Sequence, residues 1–194
     1  MMNKKNITGI ILAGGKSSRM GSDKARILFK GKAFIEHVIQ ALKPVVDDIL
    51  IISNNKEHDH FSYKRISDTL DDAGPMAGLH AGLACSNTEN NLVLSCDVPL
   101  IQTSVLEMII AHNEEGKDVI LLKEGSKSHP LIALYKKRTA PHLFSLLNHG
   151  ERRLSTAING LNVKSISVPK AKQEALRNIN TMSDLNSIEY GNKH

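Results

Sequence analysis

Aromatic residues are scarce: no tryptophan, three tyrosines and four phenylalanines among 194 residues. Proteins that read single-stranded nucleic acid stack bases on aromatic rings beside a basic patch, so this scarcity argues against that class. Long apolar runs are also missing, and nothing approaches the roughly 20 residues needed to cross a bilayer. Cysteine is limited to Cys85 and Cys96. Their spacing fits no metal site, and both have apolar neighbours, so both are expected as buried, reduced thiols. Internal repeats and low-complexity tracts are absent. The net charge of +5 is modest, and it suits a small anionic substrate better than a nucleic acid or a membrane. The opening "MMNKKNITGIILAGG" runs basic, apolar, then small, like a signal peptide. Its apolar part is only about six residues against the 7–15 of such signals, which leads to the expectation of a cytoplasmic protein. The length suits a single domain spanning 1–194, large enough for a real core.

What the sequence does have is alternation. "ITGIIL" (7–12) is β-branched and continuously apolar, as a strand buried on both faces should be. "FIEHVIQALK" (34–43) puts Ile35, Val38, Ile39 and Leu42 on one helical face, and Pro44 ends it. "DILIIS" (48–53), "YKRIS" (63–67) and "NLVLSC" (91–96) read as strands. "MAGLHAGLAC" (76–85) reads as a helix with a small, close-packing face. Ser104 and Glu107 suggest a capping box opening the helix "VLEMIIAHN". "DVILLK" and "HPLIALYKK", joined by a polar turn at 125–128, read as a hairpin and so as an antiparallel element. "APHLFSLLNHG", "ERRLSTAING" and "TMSDLNSIEY" read as helices, and "VKSISVP" as a strand. Repeated strand–helix–strand units predict a three-layer α/β/α, Rossmann-like, mostly parallel sheet. Ligands in such sheets lie at the carboxyl ends of the strands, near the switch in strand order. The residues following Leu12, Ser53, Ser67 and Cys96 are therefore the candidates.

The first candidate is "ILAGGKSSRMGSDK" (11–24). It lacks the Gly-x-Gly of dinucleotide folds and the Gly-Lys-Ser/Thr of P-loops. Gly14 and Gly15 nevertheless allow close approach of the backbone, and exposed N–H groups in such a loop form an anion site. Arg19 can fork two phosphate oxygens and Lys24 supplies a point charge. This combination points to a bound triphosphate rather than to solvated loop charges. The second candidate is Asp97, which ends an apolar strand opposite that loop. A carboxylate there can hold Mg²⁺, which bridges one or two carboxylates and substrate phosphates; a turn aspartate is the plain alternative. Asp68 occupies the matching place after the third strand, as a nucleotide contact or a helix cap. Asn54 or Asn55 can read a base edge or ribose, or shape a turn. Late in the chain, Arg152 and Arg153 offer cations for a second anionic substrate, or else a solvated helix face. His129, Asn178 and Asn180 are weaker candidates for the same side, and Asn180 can equally cap a helix.

These motifs, in order, resemble a known family. "LAGGKSSRMGSDK" resembles the signature of nucleotidyltransferases with the nucleotide-diphospho-sugar transferase fold. Together with Ser67-Asp68, "GPMAGL", "SCDVPLI", "HPLIAL", "GERRLS" and "NINT", the set resembles bacterial molybdenum cofactor guanylyltransferases over nearly the whole length. The resemblance implies transfer of GMP from Mg-GTP to the terminal phosphate of a molybdenum-bound pterin, with release of pyrophosphate. It implies nucleotide contacts at Leu12, Ala13, Gly14, Lys24, Asp68 and Asp97, with Mg²⁺ on Asp97; the loop and turn residues Gly15 and Asn54 join them on the reading above. Catalytic roles fall to Arg19, Lys24 and Asp97. One departure is that a family asparagine at the end of the second strand falls near Ile52, with Asn54 two residues on. His129, Arg152, Arg153, Asn178 and Asn180 would serve the pterin acceptor. About 1–100 would then bind nucleotide and about 101–190 the acceptor. The LAGG form is associated with guanine, and LAAG with cytidylyl relatives. The expected state is a monomer, and the expected partners are GTP, molybdopterin-type substrates, and molybdenum cofactor biosynthesis proteins or acceptor molybdoenzymes. The rivals are a CTP-dependent or sugar-phosphate nucleotidyltransferase, and a non-catalytic nucleotide-binding regulator.

Overall fold

A computed structural model describes residues 6–14, 23–68 and 74–190. In chain order its strands are β1 (Ile7–Leu12), β2 (Leu28–Phe29), β3 (Lys32–Ala33), β4 (Asp48–Ile52), β5 (Lys64–Ile66), β6 (Asn90–Ser95), β7 (Val119–Glu124), β8 (Lys127–Lys136) and β9 (Val163–Ser167). Its helices are α1 (Phe34–Leu42), α2 (Gly74–Cys85), α3 (Thr103–Ala111), α4 (Ala140–Asn148), α5 (Leu154–Asn159), α6 (Lys170–Gln173) and α7 (Met182–Tyr190).

Seven strands form one sheet in the order β5-β4-β1-β6-β8-β7-β9, and β2 pairs with β3 apart from it. β1 runs parallel to β4 and β6, and β4 parallel to β5. β8 is antiparallel to both β6 and β7, while β9 is parallel to β7. The hairpin expected from the sequence is therefore present, but its second strand is inserted into the sheet interior between β6 and β7. Its turn is shorter than expected: β8 already starts at Lys127, and Gly125 takes the left-handed φ of 58° that the tight turn needs. The β7–β8 register shifts between Leu121 and Leu122, so that Leu122 faces His129 while Leu121 faces Ala133. Pro130 lies in the displaced stretch, where its missing N–H costs no ladder bond.

The alternation of side chains along each strand divides the core into two layers. Ile7 and Ile11 of β1 pack with Ile35, Val38 and Leu42 of α1 and Val105, Leu106 and Ile109 of α3. Ile10 and Leu12 face the other way, onto Met76, Leu79 and Leu83 of α2 and Leu143 and Leu147 of α4. That two-sided burial is why β1 reads as an unbroken apolar run. A smaller cluster joins Phe29, Phe34, Ile179, Leu185 and Ile188, fixing α7 and the segment before it beside β2.

α2 lies close on β1 because its contact face is glycine. A Cβ built on Gly82 would stand 2.6 Å from Cγ2 of Ile10, itself fully buried and stiff at its branched carbon. Gly82→Val should therefore cost about 2 kcal/mol by overpacking. That corresponds to a fall in Tm of about 4–8 °C for a chain of this size, read by thermal denaturation. An unchanged Tm would mean that the helix can back away from the sheet at no cost.

Three expectations need correction. α2 starts at Gly74, two residues early, because Pro75 is well suited to a helix's first turn. α3 starts at Thr103, so Ser104 lies inside it and the Ser104–Glu107 box does not form. Instead the Thr103 hydroxyl donates to the Ala41 carbonyl at 3.0 Å and ties α3 to α1. Cys96 is buried as expected, but Cys85, at the end of α2, is exposed.

Candidate active site

From β1 the chain steps through β4 to β5 on one side, then returns through α2 to β6 on the other. The switch in strand order thus falls between β1 and β6, and polar residues just past their carboxyl ends flank one crevice. Register makes these ends level: Leu12 pairs with Ile52 and with Ser95. Beyond the ladder the Ala13 N–H donates to the Ile52 carbonyl at 2.9 Å, and the Cys96 N–H to the Leu12 carbonyl at 3.0 Å. Leu12 and Ala13 are buried and Gly14 is exposed, so the backbone surfaces at Gly14. Gly15 and Arg19 lie outside the described residues.

Lys24 opens a short 3₁₀ turn, Lys24–Arg26. Asp23 caps that turn by accepting from the Ala25 N–H at 3.0 Å. The other Asp23 oxygen accepts from Asn55 Nδ2 at 2.7 Å and lies 2.6 Å from His58 Nε2. So oriented, Lys24 Nζ donates to Asn180 Oδ1 at 2.6 Å and stands 3.9 Å from Asp97 Oδ2. The Lys24 and Asp97 side chains are only 22% and 16% exposed, so solvent screens this pair less than a surface one.

Asp97 itself is held from three sides. The Ser95 hydroxyl donates to Oδ1 at 2.5 Å. Asn178 Nδ2 lies 3.2 Å from each carboxylate oxygen. The Asp97 carbonyl accepts from the Ile179 N–H at 2.8 Å. The segment 178–180 is in turn fixed by α7: Asp184 accepts from the N–H groups of Asn180 and Thr181, and the Thr181 hydroxyl accepts from the Asp184 N–H. The cap of α7 is thus this Thr181–Asp184 pair, which leaves the Asn180 side chain for Lys24. Cys96, between these residues, is pushed up to about 12 by burial and then by the charges of Asp97 and Asp23, so it stays a thiol at neutral pH.

The structure therefore brings Lys24, Asp97, Asn178 and Asn180 into one cluster, although sequence reading put the asparagines on a different substrate. Asp68 stands apart from that contact. Its N–H donates to Asn54 Oδ1 at 2.9 Å, and its Oδ2 is 3.9 Å from the Cβ position of Gly78 on α2. Asn54 thereby pins the chain after β5, and Asn55 pins Asp23. His129 is buried at the start of β8, with Nε2 3.5 Å from Glu124 Oε2, an ion-pair distance without a hydrogen bond. Burial and then Lys127 hold its pKa below the usual histidine value. Arg152 Nη1 donates to the Leu147 and Glu151 carbonyls, and Arg153 pairs with Glu151 at 3.2 Å. The Arg152 carbonyl lies 3.9 Å from the Cβ position of Gly74, which sets this basic turn against the start of α2.

Ser95, Asp23 and His58 escaped the sequence reading, and Asn55, expected as a nucleotide or turn residue, holds Asp23. Ser95 alone left a signal, since it ends β6 only two residues before Asp97. Among the described residues no group of three or more His, Cys, Asp or Glu side chains could hold a metal ion. A single, largely buried carboxylate such as Asp97 suits a hard ion completed by substrate phosphates and water. Among the described residues no helix is long and apolar enough to cross a membrane.

A family model described as the MobA-like NTP transferase domain matches residues 9–163. A Flavobacterium johnsoniae protein, named a probable molybdenum cofactor guanylyltransferase, is 38% identical over 184 residues, which cover 95% of this chain and 97% of that protein. The molybdenum cofactor guanylyltransferase of Vibrio campbellii is 32% identical over 188 residues, covering 95% and 96%. Among solved structures, molybdopterin-guanine dinucleotide biosynthesis protein A from Archaeoglobus fulgidus superposes with a TM-score of 0.80 at 26% identity, covering 94% of this chain and 96% of that one.

Proposed function

This chain belongs to the MobA-like NTP transferase family, and from that premise we propose that it transfers GMP from Mg-GTP to the terminal phosphate of molybdopterin, releasing pyrophosphate. The observation that carries the reading is the approach of Lys24 Nζ to within 3.9 Å of Asp97 Oδ2 at the switch between β1 and β6. A cation for phosphate oxygens and a carboxylate for a hard ion meet there in one crevice.

The attacking group is a phosphate, already an anion, so no strong general base is needed. The barrier comes from two anions approaching and from charge building on the departing pyrophosphate. Lys24 neutralises part of that charge, held in place by Asn180 on one side and the Asp23-capped turn on the other. Ser95 and Asn178 fix the Asp97 carboxylate so that it need not reorient during the reaction. Mg²⁺ at Asp97 would supply further neutralisation of the phosphates. Leu12, Ala13, Gly14, Gly15, Arg19, Asn54 and Asp68 serve the rest of the nucleotide. His129, Arg152 and Arg153 serve the acceptor. About 1–100 is the nucleotide half and about 101–190 the acceptor half, with Asn178 and Asn180 reaching back to the first. The protein works as a cytoplasmic monomer that receives molybdopterin from biosynthetic proteins and passes product to molybdoenzymes.

The test is pyrophosphate release with purified molybdopterin and each of GTP, CTP and UTP. Turnover is expected with GTP and little with the pyrimidine nucleotides. Equal or faster turnover with CTP would overturn the guanylyl assignment.

A further inference from the structure

We propose that His58 is a positioning residue for Lys24: it braces, from beneath, the turn that carries the lysine into the crevice. The inference rests on the guanylyl-transfer reading and adds to it a residue outside the crevice.

His58 belongs to the 3₁₀ turn Lys56–Phe61, which follows β4. Its side chain has no exposed surface and lies beside the Phe61 ring, with centroids 5.8 Å apart. Nε2 is 2.6 Å from Asp23 Oδ2, while Nδ1 is buried without a hydrogen-bond partner among the described residues. A carboxylate only accepts, so Nε2 carries the hydrogen of this contact. A leucine of similar bulk would fill this space without an orphaned nitrogen. What leucine cannot do is hold Asp23.

Asp23 matters because a three-residue 3₁₀ turn has little stiffness of its own. One Asp23 oxygen caps the turn at Ala25, and the other is gripped by His58 and Asn55. The Arg26–Glu57 ion pair joins the same two turns at the surface. Lys24 is the residue between the gripped aspartate and the capped alanine. Its ammonium has to meet Asn180 and face Asp97 across the crevice. A shift of about 1 Å in a charged group at a reacting centre can cost on the order of 10²-fold in rate, so a brace at the base of the turn bears directly on turnover.

The experiment is a double-mutant cycle. GMP transfer is measured as kcat and KM for GTP per folded molecule, and Mg-GTP affinity by calorimetry, for wild type, His58→Leu, His58→Gln, Lys24→Ala and His58→Leu/Lys24→Ala. His58→Leu should lower kcat/KM about tenfold. His58→Gln, which places an amide donor at similar reach, should recover most of that loss. On the Lys24→Ala background His58→Leu should have no further effect, because nothing remains to be positioned. Wild-type kcat/KM in His58→Leu, or an equal loss with and without Lys24, would overturn the brace. If His58→Leu does not fold, Asn55→Asp sets a carboxylate against Asp23 while keeping the oxygen that caps Glu57, and it runs the same cycle. A wild type that binds Mg-GTP without transferring GMP sinks the function and leaves the brace to the calorimetric cycle. A wild type that binds no nucleotide overturns both.

Discussion

Asp97→Asn should reduce GMP transfer at saturating GTP by about 10³-fold, the scale of losing the charge proposed to hold Mg²⁺ in a preorganised site. The substitution keeps the shape of the side chain and removes its charge. The Asp97 carbonyl still accepts from Ile179, and the side chain sits at the sheet edge outside the three apolar clusters. Thermal denaturation should therefore show a Tm only a few degrees below wild type, since the amide oxygen still accepts from Ser95 and the lost charge-assisted contacts cost about 1 kcal/mol. Raising Mg²⁺ should not restore the rate. A folded variant with full Mg²⁺-dependent turnover would remove Asp97 from the mechanism.

Lys24→Ala should lower kcat/KM for GTP by about 10²-fold, the cost of removing one charge-stabilising donor. Mg-GTP should also bind more weakly, because the triphosphate loses a cation in the ground state as well. The turn itself survives, since its cap runs from Asp23 to the Ala25 backbone and an alanine at 24 does not touch it. Lys24→Arg should recover only part of the loss. A planar fork cannot make the single 2.6 Å contact to Asn180 and keep the same position opposite Asp97. An unchanged rate with GTP would count decisively against the lysine.

The sheet was legible in the sequence because its cause is local. The buried runs of β1, β4 and β6 are continuous apolar stretches, and each lies within a residue of its expected ends. The edge on which to look followed from the alternation of strands and helices, and Asp97 and Lys24 followed from that edge. Their long-range partners did not, because sequence distance hides them. Asn178 meets Asp97 across 81 residues, and Asn180 meets Lys24 across 156. Asp23 and His58 are 35 apart, and the turn that carries His58 has no periodicity to announce it. The Ser104–Glu107 pair failed for the opposite reason. It satisfied a local rule, but Thr103 gained a bond to Ala41 62 residues away, and the helix began early.

The contact between Lys24 and Asn180 also has a consequence in time. Ribosomes extend a chain at about 5–20 residues per second, so the 156 residues between the two take roughly 8–30 s to make. The sheet's first strands can pair during that interval, but the lysine has no asparagine to meet. A nascent chain therefore cannot close this contact until residue 180 has been made, well after the first strands have had time to pair.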